Sequence, residues 1–205
     1  MNATRRRLLW AAALVVASAV VLLVGLHGHG ISAARPPSAL EERAAVAAWR
    51  FLVPAHVKRE TNPVPATEAV LNEAADHWAD HCAVCHGGDG GGSAKLSRHM
   101  YPRVPDLRAS RTQSLTDGEL FYAIEQGIPW TGMPAWTSGT DEGERESWAL
   151  VRFIRHLSAL APAEIVRIEG LMPKSAADLK QEQEIDDFLR PAPPQAPGRR
   201  AGSGS

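Results

Sequence analysis

Cysteine is almost absent from this 205-residue chain: only Cys82 and Cys85 are present. Two thiols cannot build a zinc ribbon, which needs a second pair. A redox dithiol of the thioredoxin type should open a helix in a βαβ setting, and no alternating Val/Ile strand pattern surrounds these two. Charge of one sign is also lacking. The formal net charge is -1, and setting aside Arg5, Arg6 and Arg7 leaves 22 − 3 = 19 basic against 23 acidic residues. No clustered basic face argues for nucleic acid, and no strongly basic docking patch is expected. The run Gly87-Gly88-Asp89-Gly90-Gly91-Gly92 has no Gly-Lys-Ser/Thr after it and no strand before it, which excludes a phosphate loop. Its glycines instead allow tight backbone turns. No internal repeat is visible.

What is present centres on Cys82-Ala83-Val84-Cys85-His86. This is the C-x-x-C-H spacing of c-type haem attachment. On a helical or turning segment the two thiols lie about one turn apart, so each can form a thioether to a haem vinyl group. The adjacent imidazole then faces the iron, and His86 supplies the proximal nitrogen. With both cysteines used in this way, none is left for a disulfide.

The chain divides into four stretches. Residues 1–34 hold the Arg5–Arg7 cluster and an uncharged run over residues 8–26, rich in Leu, Val and Ala. As a helix this run spans about 28 Å, close to a bilayer's hydrocarbon core. The arginines place the N-terminus on the cytoplasmic side and the remainder outside, where c-type haem is attached. Ser32-Ala33-Ala34 also resembles a cleavage site, so a signal peptide is the competing reading; the length of the apolar run favours a retained anchor. Residues 35–66 read as a juxtamembrane helix over 39–51 followed by an extended arm broken by Pro54, Pro63 and Pro65. Trp49, Phe51 and Leu52 are available there to the lipid interface or to the haem domain. Residues 67–161 form the main domain. Residues 162–205 form a helical extension, with Pro162 at a first helical position, then a charged helix from Asp178 whose Phe188 and Leu189 can dock back. From Pro191 the composition predicts a disordered tail.

Within the main domain, Thr67 is an N-cap before Val70, Leu71, Ala74, Ala75 and Trp78 at helical spacing. Thr116-Asp117-Gly118-Glu119 reads as a capping box opening a helix with Leu120, Phe121 and Ile124 that ends at Gly127. A last helix over residues 144–160 carries Leu150, Val151, Ile154 and Leu157 on one stripe, and Trp78 and Trp148 are candidate core residues.

Together, C-x-x-C-H, the segment Tyr101-Pro102-Arg103-Val104-Pro105-Asp106-Leu107 and the loop Gly132-Met133-Pro134 resemble the class I c-type cytochromes. The likeness is nearer to the single-haem domains similar to the third subunit of cbb3-type oxidases, over roughly residues 67–160. The resemblance implies an all-α fold, preceded here by the N-terminal transmembrane helix, in which the first and last helices cross around one covalent haem c. It implies that the Pro105 carbonyl accepts the His86 Nδ1 proton, that Leu107 packs on the haem ring, and that Met133 gives the distal thioether. An iron-bound imidazole needs such an acceptor in any case; the alternative is that the prolines only stiffen a loop. Of the four methionines, Met1 lies across the membrane, Met172 follows the closing helix, and Met100 is the second candidate ligand. A lone methionine can also be core filler.

His86 and Met133 would fill both axial positions of the iron, which favours electron transfer over catalysis, and no catalytic residue is identified. The expected function is a membrane-tethered monohaem carrier in a bacterial cytoplasmic membrane, with its haem domain on the periplasmic side. It would exchange electrons with a quinol-oxidising complex, a terminal oxidase or a periplasmic dehydrogenase. Competing readings are a subunit of a larger oxidoreductase complex, and a peroxidase or haem sensor with a labile Met133. His77 and His81 lie four apart, as zinc ligands do, but no third ligand has a claim and a solvated face is favoured. His99 and His156 are remote candidates for a haem propionate or the iron, and Arg98, Arg103 and Arg108 for pairing with propionates.

Overall fold

The computed structural model describes residues 3–29, 32–174 and 176–190. Every regular element among the described residues is helical. The tail from Pro191, expected to be disordered, lies outside the described residues.

Helix α1, Ala3–His29, contains the stretch Ala3–Gly25, which is long and apolar enough to cross a membrane, with a mean hydropathy of 2.6. Its side chains are exposed along the span, as expected of a helix that buries nothing in the protein itself. Helix α2, Ala39–Leu52, starts where Ser38 Oγ accepts the Glu41 N–H at 3.2 Å. Glu41 and Glu42 in its first turn and Arg50 in its last suit the helix dipole.

The main domain begins at α3, Glu68–His77, where Thr67 Oγ1 accepts the Val70 N–H at 3.3 Å. The helix continues through a π turn, Trp78–Cys82, into the short α4, Ala83–His86. After the glycine-rich loop and the short α5, Ser110–Gln113, comes α6, Asp117–Gln126. Its capping box is complete: Thr116 Oγ1 accepts the Glu119 N–H, and the Glu119 carboxylate accepts the Thr116 N–H at 2.8 Å. Gly127, with φ +64°, ends it. Helix α7, Asp141–His156, is capped by Thr140 and starts a turn earlier than the apolar stripe suggests, because its first turn is wholly polar. Then come α8, Pro162–Leu171, and α9, Ala176–Leu189.

Helix α3 packs across α7, as expected from the resemblance, and α6 lies against α7. The buried cluster holds Ala74, Ala75 and Trp78 with Leu150, Val151, Phe153, Ile154 and Leu157. The Trp78 and Phe153 rings meet at 5.5 Å, and Phe121 stacks on Trp148 at 4.1 Å. Each large side chain buried here stabilises the domain by about 1.5–3 kcal/mol.

The arm expected between juxtamembrane helix and domain does not hang free. Val53, Val57 and Val64 are buried. Asn62 Nδ2 donates to the Trp148 carbonyl at 2.8 Å, and Arg152 Nε donates to the Val64 carbonyl at 2.7 Å. Gly118 lets the arm come this close, since a Cβ there would lie 1.8 Å from the Val57 oxygen. Upstream, Arg50 reaches Glu119, which is 1% exposed, through contacts of 3.1 and 3.4 Å. That pairing, with the capping bond, offsets the desolvation of a buried carboxylate. Phe51 and Leu52 remain exposed, and only Trp49 of the three candidates is half-buried.

Helix α8 follows Pro162 as expected, and its Ile168 is fully buried. Helix α9 has no buried residue, and Phe188 is 88% exposed. The expected docking of Phe188 and Leu189 is therefore not seen. Charged residues interrupt every face of α9, so it has no apolar stripe wide enough to hold it against the domain.

Trp148→Ala should destabilise the domain by about 3–5 kcal/mol, through the cavity it opens beside Phe121; denaturant unfolding reads this directly. Gly118→Ala should displace the arm and speed proteolysis between residues 53 and 64, with the α3–α7 core still folded.

Candidate functional site

The C-x-x-C-H motif is presented by the π turn. The Ala83 N–H bonds to the Trp78 carbonyl, one residue further back than in an α-helix, so this turn is wider than its neighbours. Cys82 and Cys85 are half-buried free thiols. Burial, aided by the neighbouring Cys85, pushes the Cys82 thiol up to about 12; burial also raises Cys85. Both are thiols rather than thiolates at neutral pH.

Burial lowers His86 to about 4, so its imidazole is neutral and has a free lone pair at neutral pH. Its Nδ1 is buried and has no hydrogen-bond partner. The bond expected from this nitrogen to the Pro105 carbonyl is thus not made in this structure. The Trp78 ring lies 5.7 Å from the His86 ring, and its Nε1 donates to the Gly87 carbonyl at 3.2 Å.

The glycine loop folds the Pro105 segment back onto the motif. The Gly92 N–H donates to the His86 carbonyl at 2.8 Å, and the Leu107 N–H donates to the Gly90 carbonyl at 2.9 Å. Gly92 has φ +68°, and a Cβ there would lie 2.6 Å from the Val104 oxygen and 2.8 Å from the Pro105 oxygen. Pro105 is therefore held two hydrogen bonds from His86. Leu107 is buried, and its carbonyl accepts Gln113 Nε2 at 2.7 Å; the same nitrogen donates to the Ile154 carbonyl at 3.0 Å.

Met133 is half-buried in a loop closed by its own hydrogen bonds. The Ile128 N–H donates to the Met133 carbonyl at 3.1 Å, and the Met133 N–H donates to Thr131 Oγ1 at 3.1 Å. Trp136, further along this loop, places its ring 5.4 Å from that of His81 on the π turn, which connects the methionine loop to the motif. Met100 sits on the same loop, since a Cβ on Gly132 would lie 1.9 Å from its methyl carbon. Trp130, with φ +59°, projects its ring into solvent.

Several of the remaining sequence candidates are engaged elsewhere. Arg108 bonds Asp89 at 2.7 Å and Asp106 at 2.9 Å, and holds the Asp106 carboxyl below the ordinary range. Arg103 donates to the Arg98 and Ala34 carbonyls, and His156 faces Glu164 at 3.4 Å. His77 is half-buried rather than solvated, with Glu146 at 3.6 Å. No group of three or more His, Cys, Asp or Glu suited to a metal ion occurs among the described residues.

Sequence reasoning did not find Gln113 or Arg155 as supports of the site. Arg155 bonds Asp117 at 2.8 Å and the Gln113 and Leu115 carbonyls at 2.8 and 2.5 Å, fixing the segment behind Leu107. For Arg155 the one signal is a charge within the apolar run of α7; Gln113 lies in a polar stretch and offers none.

Two adjacent thiols, a neutral imidazole with an orphaned buried nitrogen, and a glycine turn with no room for a Cβ are a donor set that fits a covalently held haem. The class defined by this fold and donor set is the helical c-type cytochrome domain. Residues 69–154 match the family described as cytochrome c oxidase, cbb3-type, subunit III, so the chain carries a segment similar to the cytochrome c domain of that family. The expected family and fold are borne out. Haem c is the prosthetic group that such a domain implies, and haem-based electron transfer its chemistry.

Gly92→Ala should reduce the yield of haem-loaded protein, because both its φ and its lack of space forbid a side chain; the ratio of haem to protein measures this. In the haem-free chain the folded His86 titrates near 4 and an unfolded histidine near 6.5. As pH falls through that window the unfolded state takes up the proton first, so stability drops. Denaturation midpoints between pH 7 and pH 4 should fall more steeply for the native sequence than for His86→Gln.

Proposed function

We propose that this protein is a membrane-tethered monohaem cytochrome that carries single electrons. Cys82 and Cys85 hold one haem c by thioethers, and His86 and Met133 bind its iron. Pro105 orients His86, and Leu107 packs on the ring. The observation that carries this reading is the neutral His86, with a partnerless buried Nδ1, set beside two free thiols on the π turn and α4. When bound, the haem supplies reversible one-electron Fe(II)/Fe(III) chemistry.

The chain's own residues bind, orient and shield. The unprotonated His86 gives up no proton on ligation. Its orphaned Nδ1 can donate to the Pro105 carbonyl, which the Gly92 turn keeps close, and this fixes the ring's tautomer. Leu107, Trp78 and Phe153 exclude water from the inner side. The hydrogen-bonded loop around Met133 restrains its thioether, and a thioether ligand raises the reduction potential. With His86 and Met133 both given to the iron, the site would support electron exchange rather than substrate binding. Trp130 offers an aromatic contact to a redox partner.

Helix α1 acts as a retained anchor, with Arg5, Arg6 and Arg7 cytoplasmic and the haem domain periplasmic. A quinol-oxidising complex, a terminal oxidase or a periplasmic dehydrogenase then becomes the donor or acceptor, at an effective concentration raised by the tether. A second reading, a haem-bearing subunit of a larger oxidoreductase, is favoured by the family match, which is itself to an oxidase subunit. Co-purification of stoichiometric partner subunits in mild detergent would select it.

Met133→Ala should abolish the weak long-wavelength absorption of ferric haem bound to thioether sulfur and lower the reduction potential. Unchanged axial spectra would reject Met133 as ligand. Carbon monoxide binding to the reduced native protein at neutral pH would favour a sensor or peroxidase instead.

A further inference from the structure

Helix α2 meets the domain through polar contacts. Glu41 bonds the Tyr101 hydroxyl, Glu42 bonds Arg111, and Arg50 bonds Glu119 at 3.1 Å. Leu40, Ala44, Ala47 and Phe51 form a stripe at i, i+4, i+7 and i+11 that is exposed to solvent, Leu40 by 79% and Phe51 by 85%. A helix fixed by its polar side with its apolar side in water is not explained by the fold of the domain alone.

Chain length says what covers the stripe. Arg103 Nη2 donates to the Ala34 carbonyl at 2.9 Å, which pins the connector to the domain two residues before Pro105. The membrane-spanning stretch ends at Gly25 and the helix itself at His29. The four helical residues beyond Gly25 add about 6 Å, and the five from His29 to Ala34 reach at most about 18 Å in any conformation. The pinned point thus lies no more than about 24 Å beyond the end of the span. Helix α2 begins five residues later, at Ala39.

Resting on the reading of α1 as a retained span, we propose that α2 is an interfacial helix that beds Leu40, Ala44, Ala47 and Phe51 into the outer surface of the bilayer. Its polar side grips the haem domain through Glu41, Glu42 and Arg50. The lipid surface is thereby a second attachment site, and the haem domain has a fixed face toward the membrane. Arg43, exposed beside the stripe, suits a headgroup phosphate.

The test uses the full haem-loaded chain in phosphatidylethanolamine/phosphatidylglycerol vesicles. Cys82 and Cys85 are consumed by the haem, so a single added cysteine takes a nitroxide label at Val16→Cys, Phe51→Cys or Val166→Cys. All three side chains are exposed, so the fold should tolerate each change. Accessibility to oxygen and to a water-soluble nickel chelate reports immersion in lipid. The expected result is a several-fold higher oxygen-to-nickel ratio at Phe51→Cys than at the α8 control Val166→Cys, with Val16→Cys higher still. If Val16→Cys is immersed but Phe51→Cys matches Val166→Cys, the interfacial helix is overturned and the anchor stands. If Phe51→Cys is shielded from both reagents, a second copy of the chain covers the stripe, which also overturns it. If Val16→Cys is itself in water, the anchor reading fails and takes this proposal with it.

Discussion

The crossing of α3 over α7 is the constraint on which the rest of the domain depends. Trp78 stands where the two meet, with its ring against Phe153 on one side and His86 on another, while its indole nitrogen bonds the Gly87 carbonyl. One side chain therefore joins the closing helix, His86 and the start of the glycine turn. The neighbouring alanines Ala74 and Ala75 are buried and small, which lets α7 approach α3 closely. A bulkier residue at either of them would separate the helices and move the motif with them.

Around this apolar centre, buried polar groups fix what hydrophobic packing leaves free. Ser147 Oγ donates to Glu125 at 2.6 Å, tying α7 to α6. Gln113 bridges the carbonyls of Leu107 and Ile154, and Arg155 draws in the Gln113 and Leu115 carbonyls together with Asp117. The Gln113 and Arg155 bonds satisfy carbonyls at helix ends and in the segments between helices, so each omitted partner would leave a part-buried carbonyl unpaired. The segment that carries Pro105 and Leu107 owes its position to such bonds more than to any local preference of its residues.

This division explains what could be read in advance. Local signals were legible: the caps at Thr67 and Thr116, the stop at Gly127, the proline opening α8 and the apolar stripe of α7 act within one or two turns. The C-x-x-C-H motif was legible because its residues are contiguous. The partnership of Arg50 with Glu119, 69 positions apart, was not, because a glutamate in a capping box looks complete without a second partner. Nor was the docking of the arm, whose prolines signal only that it is not helical, while its attachment comes from Asn62 and Arg152 across the fold. The position of Ile168 over Gly88 is likewise a product of packing. Phe188 misled because an apolar pair at a helix end says nothing about whether a surface waits for it.

The π turn at Trp78–Cys82 has an implication for phase. An α-helix advances about 100° per residue, so the one additional residue in this turn offsets everything after it by about that angle. Before the offset, the helix presents Ala74, Ala75 and Trp78 to α7; after it, the same continuous rod presents its thiols and imidazole in a different direction. A single helix thus packs on α7 with one face and carries Cys85 and His86 on another. Length in this turn is constrained as much as its residues are: an insertion or deletion there would leave the packing of α3 on α7 in place and turn Cys85 and His86 away from the Pro105 segment.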